Sequence, residues 1–104
     1  MSLSTHVLDA AVGRPAEGVA VRLLADDGTL LAEGSTDADG RITGWRTGPG
    51  VHRLVFGTGA YFAARGTDSF HPEVCVAFRV DDPDEHHHVP LLLSPFAYST
   101  YRGS

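Results

Sequence analysis

Histidine and arginine supply most of the side chains in this sequence that could transfer protons or stabilise negative charge. The 104 residues include six histidines, and all eight basic residues are arginine. The histidines are His6, His52, His71, His86, His87 and His88. Imidazole exchanges protons near neutral pH, so a histidine beside a guanidinium group could deprotonate water while the guanidinium stabilises an oxyanion.

The three consecutive histidines also raise the question of a metal site. In a strand, His86 and His88 project to the same face while His87 points away, a spacing that some zinc sites use. Completing such a site requires further ligands, for which the candidates are Asp84, Glu85 and His6. The sequence has no cysteine pair and no His-x-x-x-His, so the polar start of a strand is the favoured interpretation.

The turn residues indicate an all-β chain. Twelve glycines and six prolines separate short apolar runs, which is the pattern of strands joined by tight turns. Val19–Leu24 and Thr29–Ala32 predict a hairpin through Asp27-Gly28. Val51–Thr58 and Val74–Val80 predict two further strands, the second with an apolar face that belongs in the core.

The same pattern locates two of the candidate residues along the chain. A predicted first strand, Ser4–Leu8, carries His6, and the turn at Asp39-Gly40 delivers Arg41 directly after it. Taken alone, each of these two side chains is more typical of a solvated surface position than of a catalytic one.

One segment, Thr58–Gly66, predicts a helix of about two turns. Thr58 suits its N-cap, Arg65 suits the negative C-terminal end, and Gly66 suits its termination. The helix is the only one that the sequence predicts.

The last part of the chain is apolar on both faces of a predicted strand. Leu91 and Leu93 share one face and Leu92 the other, while Tyr98 and Tyr101 also fall on opposite faces. A sandwich buries only one face of each sheet, so this segment predicts a homo-oligomer that covers the outer face. Burial of the segment behind the short helix is the alternative.

Length, charge and hydropathy exclude several classes. A chain of 104 residues is expected to form one domain, residues 1–104, with little room for a pocket walled on all sides. The net charge is −5 and the arginines form no contiguous stripe, which argues against nucleic acid. No apolar run approaches the length of about eighteen residues that spans a membrane. The first residues lack a secretory pattern, so a cytoplasmic location is expected.

The order of several short motifs resembles one known family. The motifs are Ser4–Asp9, Asp39–Arg41, Gly59–Phe62, His86–Pro95 and Tyr101–Ser104. Together they cover nearly the whole chain, and the sequence resembles the transthyretin-like proteins and, within them, the 5-hydroxyisourate hydrolases. The terminal Tyr-Arg-Gly-Ser after His-x-Pro-Leu-Leu-Leu-Ser-Pro is the most specific of these signals.

The resemblance implies a transthyretin-like β-sandwich of two four-stranded sheets with one short α-helix. It implies a homotetramer, a dimer of dimers, with active sites at the dimer-dimer interface. It also implies hydrolysis of the lactam bond of 5-hydroxyisourate to 2-oxo-4-hydroxy-4-carboxy-5-ureidoimidazoline, a step in urate degradation to allantoin. The family uses no metal and no organic cofactor.

Carried over by position, the resemblance assigns catalytic roles to His6, Arg41 and His88. The same site is expected to bind substrate through these three residues and through Tyr101, Arg102, Gly103 and Ser104. One histidine would deprotonate water, the other would orient it or protonate the leaving nitrogen, and Arg41 would polarise the carbonyl. Two alternatives stay open: a non-catalytic carrier of a small ligand, and a zinc hydrolase built on His86 and His88.

Overall fold

Two β-sheets and one short helix make up the computed structural model, which describes residues 2–104. The elements in chain order are β1 (Leu3–Asp9), β2 (Arg14–Pro15), β3 (Ala20–Ala25), β4 (Leu30–Ser35), β5 (Arg41–Trp45), β6 (Gly50–Phe56), α1 (Thr58–Ala63), β7 (Val74–Val80), β8 (His87–Ser94) and β9 (Ala97–Thr100). Within residues 2–104, no helix is long and apolar enough to cross a membrane.

The sheet that carries the candidate residues is built around β1. Its strand order is β2-β1-β8-β9, and β5 also pairs with β1. Strand β8 pairs in parallel with the whole of β1, so β2 and β5 share the opposite edge, β5 beside Leu3–His6 and β2 beside Leu8 and Asp9. Because these two short strands follow each other along one edge, the sheet is four strands wide although five strands form it.

The second sheet has the order β4-β3-β6-β7, with antiparallel pairing throughout. The hairpin predicted through Asp27-Gly28 is present as β3 and β4, and the predicted strand Val74–Val80 is β7. The strand predicted to reach Thr58 ends at Phe56 instead, because the Gly57 N–H bonds to the carbonyl of Ala20 and the helix then begins. The predicted all-β sandwich with one short helix is confirmed.

Alternation along β1 and β8 separates a core face from an outer face. In β1, Leu3, Thr5, Val7 and Asp9 are at most 2% exposed. In β8, the buried residues at alternate positions are His87, Val89, Leu91 and Leu93. Successive side chains of a strand point to opposite sides, so the outer face carries Ser4, His6, Leu8, His88, Pro90 and Leu92.

The start of helix α1 differs from the prediction. Gly57, not Thr58, occupies the N-cap position, and no side chain caps the helix. Thr58 is buried inside the first turn, and its hydroxyl donates to the carbonyl of His71 at 3.4 Å. The prediction that Thr58 caps the helix was wrong, because the hydroxyl bonds to the loop after the helix instead of the free N–H groups of the first turn.

Helix α1 ends at Ala63, three residues before the predicted end at Gly66, and residues 64–66 form a turn. The Gly66 N–H donates to the carbonyl of Ala63 at 3.0 Å, and the Thr67 N–H donates to that of Phe62 at 3.0 Å. These two bonds satisfy carbonyls that the helix itself leaves without partners. The chain therefore leaves the helix in a defined turn.

A buried hydrogen bond fastens the helix to the first sheet. The Tyr61 hydroxyl donates to Oδ2 of Asp9 at 2.8 Å, and the Asp9 side chain is 2% exposed. Burial and the Asp9 carboxylate raise the pKa of Tyr61 to about 12. The Arg65 guanidinium lies over the Tyr61 ring, 3.8 Å from its centroid.

Replacing Tyr61 with phenylalanine is expected to lower the free energy of unfolding by about 1.5 to 3 kcal/mol, because a buried carboxylate loses a charge-assisted hydrogen bond. Urea unfolding measures the change. Tyr98→Phe is the matched control, since the Tyr98 hydroxyl makes no hydrogen bond within residues 2–104 and its side chain is 42% exposed. Equal stability of the two variants would contradict this role for Tyr61.

Candidate active site

The outer face of the first sheet brings His6, Arg41 and His88 together. His6 in β1 lies directly opposite Arg41 in β5. His88 in β8 lies opposite Ser4, two residues before His6 on the same face. Three residues that are up to 82 positions apart therefore share one surface, as the resemblance implies.

The backbone before Arg41 fixes where this side chain begins. Gly40 adopts a φ of +75°, and a Cβ built on it would overlap the carbonyl oxygen of Val7. The Val7 N–H donates to the Gly40 carbonyl at 2.7 Å, and Oδ1 of Asp37 accepts the Arg41 N–H at 2.9 Å. A side chain at position 40 would separate β5 from β1, so the glycine is needed to place Arg41 beside His6.

The surroundings of His88 favour its neutral form. Burial lowers the pKa of His88 below the ordinary value of 6.5, and Coulombic repulsion from Arg41, His6 and His86 lowers it further. A neutral imidazole keeps a lone pair on one ring nitrogen, so His88 is able to accept a proton at neutral pH. The direction of this shift agrees with a general base.

Hydrogen bonds to serine hydroxyls hold His88 and His86. Oγ of Ser4 lies 2.7 Å from Nδ1 of His88 and 3.0 Å from Nε2 of His86. Oγ of Ser2 lies 2.6 Å from Nδ1 of His86. The two rings stack with centroids 6.4 Å apart and an interplanar angle of 16°. Sequence reasoning gave no role to Ser4, because no local spacing shows that a residue of β1 meets one of β8.

The C-terminal residues reach the same histidine from the other side. The Gly103 N–H donates to the His88 carbonyl at 2.9 Å, forming an antiparallel bridge. A Cβ at position 103 would overlap the imidazole ring, so only glycine allows this approach. Arg102 forms an exposed ion pair with Glu85 at 3.4 Å, and Tyr101 is 61% exposed. Ser104 is exposed.

A cavity of about 290 Å³ lies between β7 and the segment Thr100–Arg102. His87 and His88 form part of its wall, but His6 and Arg41 do not line it. The cavity is therefore beside the surface shared by His6, Arg41 and His88. Within one protomer, the surface shared by these three residues is open, because none of the residues that line the cavity forms a wall opposite to it.

The remaining histidines lie elsewhere. His52 is buried and stacks on Phe78 with ring centroids 5.9 Å apart. His71 contacts Tyr98 edge-on. His87 is 7% exposed on the core side of β8, with Nδ1 3.1 Å from the carbonyl of Glu85.

The geometry around His86 and His88 does not complete a metal site. Among residues 2–104, no group of three or more histidine, cysteine, aspartate or glutamate side chains is arranged to hold a metal ion. The ring nitrogens of His86 and Nδ1 of His88 are instead within hydrogen-bond distance of Ser2 and Ser4.

Comparison with known proteins gives consistent matches over almost the whole chain. The model of the HIUase/Transthyretin family matches residues 3–103. The "5-hydroxyisourate hydrolase" of Salmonella typhimurium is 50% identical over 109 residues, which cover 98% of this chain and 80% of that protein.

Solved structures give the same result. The 5-hydroxyisourate hydrolase of Klebsiella pneumoniae has a TM-score of 0.89 at 42% identity, covering 99% of this chain and 93% of that one. Sea bream transthyretin in complex with thyroxine has a TM-score of 0.87 at 38% identity, covering 97% of this chain and 93% of that one. The fold is therefore shared by hydrolases and by a thyroxine-binding protein.

Proposed function

The chain belongs to the HIUase/Transthyretin family, and from that membership we propose that it is an enzyme that hydrolyses 5-hydroxyisourate in urate degradation. The observation that supports this most directly is the shared outer face of His6, Arg41 and His88. The product is 2-oxo-4-hydroxy-4-carboxy-5-ureidoimidazoline. The proposal assigns residues 1–104 to one hydrolase domain.

Hydrolysis of a lactam needs a base that activates water and a cation that stabilises the oxyanion. In our proposal, His88 takes the proton from water, because burial and the neighbouring side chains favour its neutral form. Arg41 polarises the carbonyl of the lactam, and its charge offsets the oxyanion as the tetrahedral intermediate forms. His6, opposite Arg41, orients the water. When the C–N bond of the tetrahedral intermediate breaks, the proton that His88 took from water passes to the leaving nitrogen, directly or relayed through His6.

The C-terminal residues complete the substrate site in this proposal. Gly103 packs against His88, and Tyr101 and Arg102 follow the same edge. We propose that Tyr101, Arg102, Gly103 and Ser104 bind the substrate together with His6, Arg41 and His88. Arg41, which forms no ion pair among residues 2–104, gives this region a local positive charge that attracts an acidic purine derivative, despite the net charge of −5.

The pH dependence of activity follows from the position of His88. Its pKa is lowered below 6.5, so kcat/KM is expected to rise as the pH increases through this lowered pKa and then to level off. The rate rises with pH because a histidine base acts in its neutral form, which predominates above its pKa. Steady-state rates measured between about pH 5 and 8 test this. A rate that falls steadily over that interval would contradict a neutral histidine as the base.

We propose that the chain assembles into a homotetramer, a dimer of dimers whose dimer-dimer interface covers the outer face. Support comes from the apolar residues beside the proposed catalytic ones, since Leu8 and Leu92 lie on the outer face and are only half-buried within one protomer. A second copy also supplies the wall that this open surface lacks. Light scattering tests the proposal, and a stable monomer at micromolar concentration would refute it.

A small-ligand carrier is the second candidate, and the similarity to thyroxine-bound sea bream transthyretin is the observation in its favour. Freshly generated 5-hydroxyisourate separates the two functions. An enzyme at catalytic amounts speeds its disappearance over many turnovers, whereas a carrier removes at most a stoichiometric amount. If the protein is a hydrolase as proposed, we expect multiple turnovers.

We propose that the reaction needs neither a metal nor an organic cofactor. Activity is then unchanged after treatment with a chelator, and loss of activity that zinc restores would favour the alternative of a zinc hydrolase on His86 and His88. A cytoplasmic location is part of the same proposal, and fractionation of the cells that express the protein tests it.

A further inference from the structure

A buried serine hydroxyl links two imidazole rings on the outer face. Oγ of Ser4 is within hydrogen-bond distance of both His86 and His88, and Ser4 is 6% exposed. The hydroxyl therefore has two ring nitrogens as partners where an exposed serine would have water. A hydroxyl carries one proton to donate, so it donates to one ring and accepts from the other.

The hydrogen bonds form a chain in the order Ser2, His86, Ser4, His88. Each neutral imidazole has one N–H and one acceptor nitrogen, so the chain has only two consistent directions. In the first, Nδ1–H of His88 donates to Ser4, whose hydroxyl donates to Nε2 of His86. In the second, Ser4 donates to Nδ1 of His88, and the ring proton of His88 lies on Nε2.

We propose that Ser4 is a positioning residue that, with His86 behind it, holds His88 in the first direction, with the proton on Nδ1 and the lone pair on Nε2. This inference rests on the proposed hydrolase function. Nε2 is then the nitrogen that takes the proton from water, while Nδ1–H stays bonded to Oγ of Ser4. Ser4 touches neither water nor substrate in this role and acts only through His88.

Three contacts restrict the His88 ring to this orientation. Ser4 and His88 are paired directly across β1 and β8, which puts the hydroxyl beside Nδ1. The His86 ring stacks on the His88 ring, and Gly103 packs against the ring edge that carries Cδ2. Nε2 is left as the ring nitrogen of His88 with no hydrogen bond to residues 2–104.

The role of His88 as the base selects the first direction. Oγ of Ser4 occupies Nδ1, so only Nε2 is free to meet water. Nε2 carries a lone pair only when the ring proton lies on Nδ1, where it donates to Ser4.

Three variants test the proposal. Ser4→Ala removes the hydroxyl, Ser4→Thr keeps it, and His86→Phe keeps a stacking ring while removing both nitrogens at an exposed position. Ser35→Ala is the control, because Ser35 is exposed in β4 of the other sheet. Steady-state kinetics give kcat and KM, and NMR of protein with ¹⁵N-labelled histidine reads the tautomer of His88 without substrate.

Ser4→Ala is expected to lower kcat about tenfold with KM nearly unchanged, since a misdirected base slows the reaction without weakening the binding of substrate. The NMR spectrum is expected to show Nε2–H appearing on His88. Ser4→Thr restores most of kcat and the original tautomer, and His86→Phe gives a smaller loss with a partial change of tautomer. Ser35→Ala matches the wild type in both measurements.

Wild-type kcat and an unchanged tautomer in Ser4→Ala would overturn the proposal. If Ser4→Ala does not fold, the exposed His86→Phe variant decides, and an unchanged tautomer there overturns it as well. A wild-type protein that shows Nδ1–H on His88 but does not hydrolyse 5-hydroxyisourate would count against the proposed function, while the assigned hydrogen bond would stand. A wild-type protein that hydrolyses it with Nε2–H on His88 would reject the positioning role alone.

Discussion

Replacing His88 with alanine is expected to lower kcat by about 10² to 10⁴, the range that a general base contributes. His88 is the histidine whose pKa is lowered by burial and by Coulombic repulsion from Arg41, His6 and His86. Its ring is the one held by Ser4 and approached by Gly103. Rates of 5-hydroxyisourate disappearance, measured with equal concentrations of assembled wild type and variant, give the effect. Free imidazole is expected to restore part of the activity, because the deleted ring leaves space beside Ser4.

His71→Ala is the matched control for His88→Ala. His71 contacts Tyr98 edge-on near the loop that follows the helix and lies on neither β1 nor β8, so its loss is expected to leave kcat close to the wild-type value. Near-wild-type turnover by His88→Ala, with the oligomer intact, would remove His88 from the catalytic role. Equal losses in the two variants would indicate a general effect of deleting a histidine.

Local patterns predicted much of the fold because they depend only on neighbouring residues. Alternation in Val74–Val80 defines β7 residue by residue, and Asp27-Gly28 marks the turn between β3 and β4. The N-cap of the helix was mispredicted because a Thr58 hydroxyl has two possible uses, and the loop carbonyl of His71 is the partner it takes. A partner thirteen residues away is not visible in a local pattern.

The candidate site likewise contains residues that the sequence motifs predict and one contact that they do not. His6, Arg41 and His88 were identified through the family motifs, since each alone resembles an ordinary surface residue. Their common face follows from the parallel pairing of β1 with β8, which joins residues 84 positions apart. No property of Ser4 itself reveals that pairing, so its contact with His88 emerged only from the structure.

The fold also explains why one surface carries both the proposed catalytic residues and an apolar area. The core takes the odd-numbered positions of β1, which are buried. Every outward side chain of this strand therefore alternates with a core residue, and His6 and Leu8 necessarily share the outer face. If a second dimer covers this face as proposed, the same contact that buries Leu8 and Leu92 also excludes water from around His6 and His88. Desolvation of that kind strengthens the pull of Arg41 on an oxyanion.

Replacing Arg41 with alanine is expected to lower kcat by about 10² to 10³, the cost of losing one donor to an oxyanion. The same change removes one of the positive charges that lower the pKa of His88, so the acid limb of the kcat/KM profile is expected to move to higher pH. The backbone that holds position 41, through Gly40 and Asp37, does not involve the guanidinium, and the variant is expected to fold.

Arg41→Lys separates the charge of Arg41 from its geometry. Lysine keeps the positive charge and so is expected to leave the acid limb where it is, but it cannot present two donors in a plane and is expected to recover only part of kcat. Arg14→Ala, an exposed arginine of β2 on the same edge of β1, controls for loss of a positive charge outside the site. A wild-type kcat in Arg41→Ala would exclude the oxyanion role. If the acid limb of the kcat/KM profile does not move in this variant, the charge of Arg41 does not act on the group whose titration limits the rate.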